Sequence, residues 1–295
     1  MLSLKISIKE ETTVQFITNL SETEAMLRED VPYFDLTSRI MDLETIEAEI
    51  LFTPKSDVTV CGTEEAEKIF GMLGAETSLL KKSGEHAGQD QTVFRAYGNA
   101  EQLHMGWKVV QNILEHFSGI ATRTRSMVDG ANRGKPNTEV CGTRKHLPGI
   151  KHLSLKALCA GGGYPHRLGI SDSVLIFSNH YDLLGGIGAV CRELPSIRSR
   201  CPEKKVAVEV ETLDHAVMAA EAGADIIQLD KLKPEAVEKI VNTIKPSHRH
   251  IVIAAAGGVN ASNAEAYGAA GADVLVSSWM YFGKPVDYKV VVRKV

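Results

Sequence analysis

Apolar and polar positions change rhythm about a third of the way along the chain. From about Asn137 onward, short β-branched runs alternate with amphipathic stretches. The runs 138–143, 173–177, 205–210, 225–230, 250–255 and 273–278 predict strands, and the segments 183–193, 212–222, 234–244 and 262–270 predict helices. Strands alternating with helices imply a parallel sheet. The triplet Gly-Ala-Asp recurs at 223–225 and 271–273, 48 residues apart, the spacing of two βα units. A barrel of repeated units fits this spacing, with a doubly wound sheet as the alternative. No G-x-G-x-x-G follows the first strand, which counts against a dinucleotide fold.

The first third has a different pattern. Residues 21–30 predict a short capped helix stopped by Val31-Pro32. Residues 44–54 and 56–74 read as strands followed by a helix, and 100–128 as a long helix leading into the barrel. The closing YKVVVRKV is strand-like and is expected to pair back onto this part. The chain therefore divides into an N-terminal domain (1–115), which the strand in 284–295 rejoins, and a barrel domain (116–283).

Side chains alternate faces along a strand. With Val206, Val208 and Val210 against the helix layer, Glu209 and Glu211 face inward. On the next strand Ile226, Gln228 and Asp230 face inward. Neighbouring strands thus bring acids to one barrel end, where such folds place their chemistry. A buried acid needs a partner or a metal. An internal salt bridge is one answer; Mg²⁺, held by one or two carboxylates plus substrate phosphates, is the other. The strand 250–255 runs into Ala256-Gly257-Gly258, and Ser262-Asn263-Ala264-Glu265 then has the pattern of a capping box. A glycine turn before a helix suits an anion, although a tight turn alone explains the same residues. The last strand ends at Ser278, beside the turn after the preceding one, and barrels often seat a phosphate on these two final loops.

Composition adds limits. The 295 residues are 44% hydrophobic and 24% charged, ordinary for a globular protein. Five cysteines without a C-x-x-C pair argue for a reducing compartment rather than a disulfide framework. The first sixteen residues hold no long apolar run, so no signal peptide is expected, nor any membrane span; the expected location is cytoplasmic. The net charge of −4 argues against nucleic-acid binding. Yet Arg133–Arg167 holds seven lysines and arginines, three histidines and a single acid, Glu139. Such a cluster attracts small anions, with a solvated basic face as the plain alternative.

Several ordered motifs go further. They are Glu29–Thr37, Ser118-Gly-Ile-Ala-Thr122, Thr143-Arg-Lys-His-Leu-Pro-Gly149, Gly161-Gly-Gly163, His166–Asp172, Asn179-His180, Glu209-Val-Glu211, Leu229-Asp230 and Gly257-Gly258. Spanning nearly the whole chain, they resemble the type II phosphoribosyltransferases of the quinolinate phosphoribosyltransferase (nicotinate-nucleotide pyrophosphorylase) superfamily. The resemblance implies an N-terminal α/β sandwich plus an incomplete, TIM-like α/β barrel. It also implies a homodimer, or a dimer-based higher oligomer, with shared active sites. By the same resemblance the donor is phosphoribosyl pyrophosphate (PRPP), used with Mg²⁺. Glu209 and Asp230 would be catalytic and face the ribose and metal, while Arg144 and Lys145 would stabilise the departing pyrophosphate. Lys108, His166, Arg167 and Glu211 would bind substrate, and Gly257, Gly258, Ser277 and Ser278 the 5-phosphate.

Some positions depart from the quinolinate pattern. Phe177 stands where those enzymes carry Lys, Lys108 where they carry Arg, and Ala254 and Ala256 where they carry an acid and a serine. Lysine lacks arginine's bidentate grip on a carboxylate. Trp107-Lys108, Leu175-Ile-Phe177, Ala254–Gly258 and Lys284-Pro-Val-Asp287 are closer to the ModD branch, the pyrophosphorylases associated with molybdate-transport operons. The reading is a phosphoribosyltransferase with a heterocyclic acceptor other than quinolinate. The alternatives are true quinolinate phosphoribosyltransferase activity, and a non-catalytic ligand-binding protein linked to molybdate.

Overall fold

The computed structural model describes residues 20–295. The expected lack of a signal peptide, and the start of the 1–115 domain, fall outside the described residues. Helices α1 (Leu20–Asp30) and α2 (Leu36–Ile40) lead to β1 (Glu47–Pro54), β2 (Val58–Thr59) and α3 (Thr63–Met72). Strands β3 (Glu76–Leu79), β4 (His86–Ala87) and β5 (Phe94–Asn99) precede a long helix, α4 (Ala100–Gly134). Beyond it come β6 (Glu139–Gly142), α5 (Lys151–Ala160), β7 (Tyr164–Pro165), β8 (Val174–Ile176), α6 (Ser178–Leu183) and α7 (Ile187–Ser199). The chain continues with β9 (Val206–Val210), α8 (Leu213–Glu221), β10 (Ile226–Asp230), α9 (Pro234–Ile244), β11 (Val252–Ala256), α10 (Ala264–Ala269), β12 (Val274–Ser277) and β13 (Tyr288–Lys294).

The seven barrel strands run in the order β7-β6-β12-β11-β10-β9-β8, every pair parallel. That is a cyclic order with one break, between β7 and β8: an incomplete barrel rather than a doubly wound sheet. Val206, Val208 and Val210 are fully buried against the helices, each such side chain contributing about 1.5–3 kcal/mol of burial. The inner faces of β6, β11 and β12 form a separate small cluster of Cys141, Ala254, Ala256 and Val276. The repeated Gly-Ala-Asp has a structural task. Asp225 accepts from the backbone of Val206 at 2.8 Å, and Asp273 from that of Ile253 at 2.9 Å. Each aspartate thus tethers the start of a neighbouring strand, at the N-terminal end of the barrel.

Three predicted elements differ in detail. The glycines Gly185 and Gly186, both at positive φ, split the expected 183–193 helix into α6 and α7. Helix α4 runs six residues past 128, started by Asn99 and Gln102, whose side chains each bond the other's backbone at 3.0 Å. The capping box at Ser262–Glu265 does not form: the Ser262 hydroxyl donates to Asn260 instead, and α10 begins only at Ala264.

In the N-terminal domain an antiparallel sheet, β13-β1-β5-β3, is packed by α3 and α4. Phe52, Phe70 and Phe94 form its aromatic centre, with ring centroids 5.8–6.1 Å apart. Helix α4 crosses residue 115 without interruption and belongs to both domains. On it, Ser118 accepts from the backbone of Cys61 at 3.0 Å and Thr122 from that of Thr59 at 2.9 Å. Arg123 donates to the carbonyls of Met280 and Lys284, tying α4 to the segment after β12. A second tie is ionic. Lys156 of α5 reaches Glu64 at 2.8 Å and Glu65 at 2.6 Å on α3, with Lys156 and Glu65 buried. Among the described residues no helix is long and apolar enough to cross a membrane.

Candidate active site

Parallel strands end together, so residues just past each strand collect at one mouth. The sheet order arranges them around it. Thr143–Lys145 follow β6 and His166-Arg167 follow β7 on one side; Glu209, Glu211 and Asp230 end β9 and β10 on the other. Between the two sides lie the loops after β12 and β11, carrying Ser277-Ser278 and Gly257-Gly258. Those middle loops therefore lie between a carboxylate wall and a cationic wall.

The carboxylate wall is built by register. Gln228 pairs with Glu209 across β10 and β9, and its amide nitrogen donates to the Glu209 carboxylate. Burial, with the charges of Asp230 and Glu211, pushes the Glu209 carboxyl above its usual range, against the Gln228 hydrogen bond and Lys231. Gln228 is buried and its carbonyl oxygen has no partner among the described residues. Glu211 is exposed at the rim. Asp230 receives the Lys231 ammonium at 2.9 Å.

On the cationic wall, Lys145 is fixed by a 3.1 Å bond from its backbone to the Thr143 hydroxyl, and His166 by a 2.9 Å bond to the Gly142 carbonyl. Burial, then the charge of Arg144, holds Arg167 below its usual value, with Asp172 opposing. Burial, then Arg167, lowers the pKa of His166. The Arg167 Nε is buried and has no hydrogen-bond partner among the described residues.

The middle loops are shaped by glycine. Gly257 and Gly258 both have φ of +81°. A Cβ on Gly257 would lie 2.6–2.7 Å from Lys231 and Asp230. Asn263 and Asn260 both donate to the Gly258 carbonyl at 3.1 Å, fixing the turn. Ser277 is committed elsewhere: its hydroxyl donates to the Val259 carbonyl and accepts from Trp279 N at 3.0 Å. It stitches the two loops, leaving Ser278 as the accessible hydroxyl of the pair.

Lys108 is not brought to this mouth within the chain. It lies on α4, donates to Gln111 at 2.9 Å and stands 5.3 Å from the Trp107 ring centre. It lines a groove of about 500 Å³ with Phe34, Asp35, Met41, His104 and Trp107. Phe177 follows β8 with its ring edge-on to His180, centroids 4.2 Å apart, so an aromatic ring stands on that side of the mouth. Lys231 was absent from the candidates read from sequence. Its signal was a lysine directly following a strand-end acid, and the left-handed backbone that fixes it is invisible to periodicity.

Residues 35–118 match the family model described as quinolinate phosphoribosyl transferase, N-terminal domain, and 120–291 the C-terminal domain of the same family. The chain is 40% identical to the protein named "Putative pyrophosphorylase ModD" of Rhodobacter capsulatus, over 84% of this chain and 95% of that one. It is 32% identical to the "Probable nicotinate-nucleotide pyrophosphorylase" (carboxylating) of Methanothermobacter thermautotrophicus, over 91% and 96%. The crystal structure of NadC from Streptococcus pyogenes superposes with a TM-score of 0.85 at 25% identity, covering 95% of this chain and 99% of that one.

Proposed function

The chain belongs to the quinolinate phosphoribosyl transferase family, and from that premise we propose that it moves the phosphoribosyl group of PRPP onto a ring nitrogen of a heterocycle other than quinolinate. The N–C1 bond forms as the C1–O bond breaks and pyrophosphate departs. The observation that carries this reading is the three-part mouth: carboxylates on β9 and β10, glycine and serine loops on β11 and β12, and cations after β6 and β7. The 5-phosphate sits on Gly257, Gly258 and Ser278, with Ser277 holding their loops together. Glu209 and Asp230 face the electron-poor ribose carbon as the bond to pyrophosphate breaks. Arg144, Lys145 and Arg167 take up the charge of the leaving group. The acceptor needs placing more than covalent help.

The donor set at Glu209 and Asp230 suits Mg²⁺. Among the described residues no cage of three or more His, Cys, Asp or Glu forms, and Mg²⁺ ordinarily binds through one or two carboxylates plus substrate phosphates. When bound, the ion offsets phosphate charge. Phe177 and the small lining of Ala254 and Ala256 favour a neutral or monocarboxylate ring, because a second carboxylate facing Phe177 would be desolvated without a partner. Quinolinate transfer is the second reading, favoured by Arg144 and Arg167 both standing at the mouth. Formation of nicotinate mononucleotide and CO₂ from quinolinate decides between them.

Exposed apolar surface supports a homodimer. Tyr33, Phe34, Leu36, Ile40 and Met41 form one apolar face beside Lys108, and Leu168, Ile170, Leu183 and Leu184 another near the mouth. In a homodimer joining the two, Lys108 and Glu211 complete the acceptor pocket from opposite chains. The unpaired cysteines suit a cytoplasmic enzyme. Pyrophosphate release from PRPP and Mg²⁺, assayed across a panel of nitrogen heterocycles, tests the activity. Absence of PRPP binding by calorimetry in the presence of Mg²⁺ refutes it. Mixing Lys108→Ala with Asp230→Asn chains tests sharing: recovered turnover supports the dimer, and none refutes it.

A further inference from the structure

Lys231 is placed by backbone geometry that a lysine adopts only under constraint. Its φ is +56°, in the left-handed region that a side chain disfavours. Its N–H is bonded to the Ala256 carbonyl at 2.8 Å, which fixes the turn against the end of β11. Its stem runs along Gly257 so closely that a Cβ there would sit 2.6 Å from Lys231 Cγ. The head group lies 2.9 Å from Asp230 Oδ2. One exposed cation therefore stands between the carboxylate wall and the loop assigned to the 5-phosphate, with its side chain three-quarters exposed.

We propose that Lys231 is a donor-binding cation that exchanges partners: it neutralises Asp230 in the free protein and moves to a phosphate oxygen of the bound phosphoribosyl donor, releasing Asp230 for a divalent ion. This rests on the donor being a phosphoribosyl compound. The exchange makes ligand and metal binding cooperative. While the ammonium holds Asp230 it repels a divalent cation; once phosphate draws it away, the freed carboxylate and the phosphate oxygens attract one. A surface ion pair of this kind contributes little to folding, so its removal is expected to leave the fold intact.

The exchange predicts opposite changes in two binding constants. Mn²⁺ alone, titrated into the free full-length protein by calorimetry, binds roughly tenfold more tightly to Lys231→Met than to the parent, since a competing cation has gone. Ribose 5-phosphate in EDTA binds Lys231→Met roughly tenfold more weakly, since a charged hydrogen bond has gone. Lys231→Arg keeps both constants near the parent values. Both constants unchanged, only one changed, or both weakened together as by misfolding, overturn the exchange. If the parent binds neither ribose 5-phosphate nor PRPP even with metal, the phosphoribosyl reading itself falls, and this inference with it. If the parent binds them but Lys231→Met shows no opposed shift, the inference alone falls.

Discussion

Replacing Lys156 by methionine tests whether the two domains are joined by a buried charge cluster. Lys156 and Glu65 have almost no exposed side-chain surface, and Glu64, the third member, is about a quarter exposed. Methionine fills the stem's volume, so the loss is electrostatic rather than a cavity. It leaves Glu65 buried without a cation, and removing one member of a buried pair costs about 3–5 kcal/mol. Two titrations bound the cluster. Burial disfavours the charged lysine, but Cys61, Glu65 and Glu64 outweigh it and raise the Lys156 pKa. Its stabilising effect is full below about pH 10.4, the unfolded lysine value, and fades as pH rises through the folded one. Burial would raise Glu64 as well, yet Lys156 and Ser83 hold it low. Its contribution is present above about pH 4.3 and fades as pH falls through the folded value. Urea unfolding at pH 7 is expected to show a loss of about 3–5 kcal/mol for Lys156→Met. The triple change Lys156→Met, Glu64→Gln, Glu65→Gln is expected to recover much of it, because no bare charge remains. A loss under about 1 kcal/mol for the single variant, or no recovery in the triple, would refute the idea that the cluster is an uncompensated-charge problem.

Asp230→Asn is expected to abolish turnover while leaving ribose 5-phosphate binding within severalfold; full activity would show that the carboxylate wall is misassigned. Gly257→Ala forces a left-handed alanine, costing about 1–2 kcal/mol, and a methyl against Lys231 and Asp230; calorimetry is expected to show lost phosphate binding, and unaltered affinity would contradict the loop assignment. Asp273→Ala removes the acceptor for Ile253 N, Lys135 and Lys245. Burial would raise the Asp273 pKa, but these bonds hold it below the usual range, so its stabilisation is lost as pH falls through about 4 and below. The variant is expected to lose about 1–3 kcal/mol at neutral pH and to flatten the acid limb of the stability profile; an unchanged limb would exclude Asp273 as its source.

The barrel was legible because its strands are short, apolar and regularly spaced, and because alternation in 206–211 and 226–230 assigns faces without any contact being known. For the same reason Glu209 and Asp230 could be placed at one end in advance. What depends on distant partners was not legible. Strands β3 and β5 carry polar residues and a glycine and become strands only by pairing with one another and with β1. Strand β7 is two residues long. The Ser-Gly-Ile-Ala-Thr motif helped carry the family resemblance without showing a role, and its Ser118 and Thr122 hydroxyls fasten backbone around β2. Ser262 looked like a cap because sequence shows spacing but not which acceptor, here Asn260, is nearer. Lys108 was a candidate substrate ligand by position in the motif, and the groove it lines with Phe34, His104 and Trp107 depends on contacts that sequence does not show.

The pairing of β13 with β1 has a consequence for how the chain comes to be made. Ala48 is joined to Lys294 and Pro54 to Tyr288, while the other edge of β1 is taken by β5. During synthesis on a ribosome, the N-terminal sheet stays open along β1 until the whole barrel and then β13 have emerged. Contacts so distant in sequence close slowly, and an unpaired strand edge carrying Ile50 and Phe52 is a template for pairing between neighbouring nascent chains. A truncation that removes only the closing strand therefore threatens solubility before it threatens chemistry, although every residue of the proposed mouth would still be present.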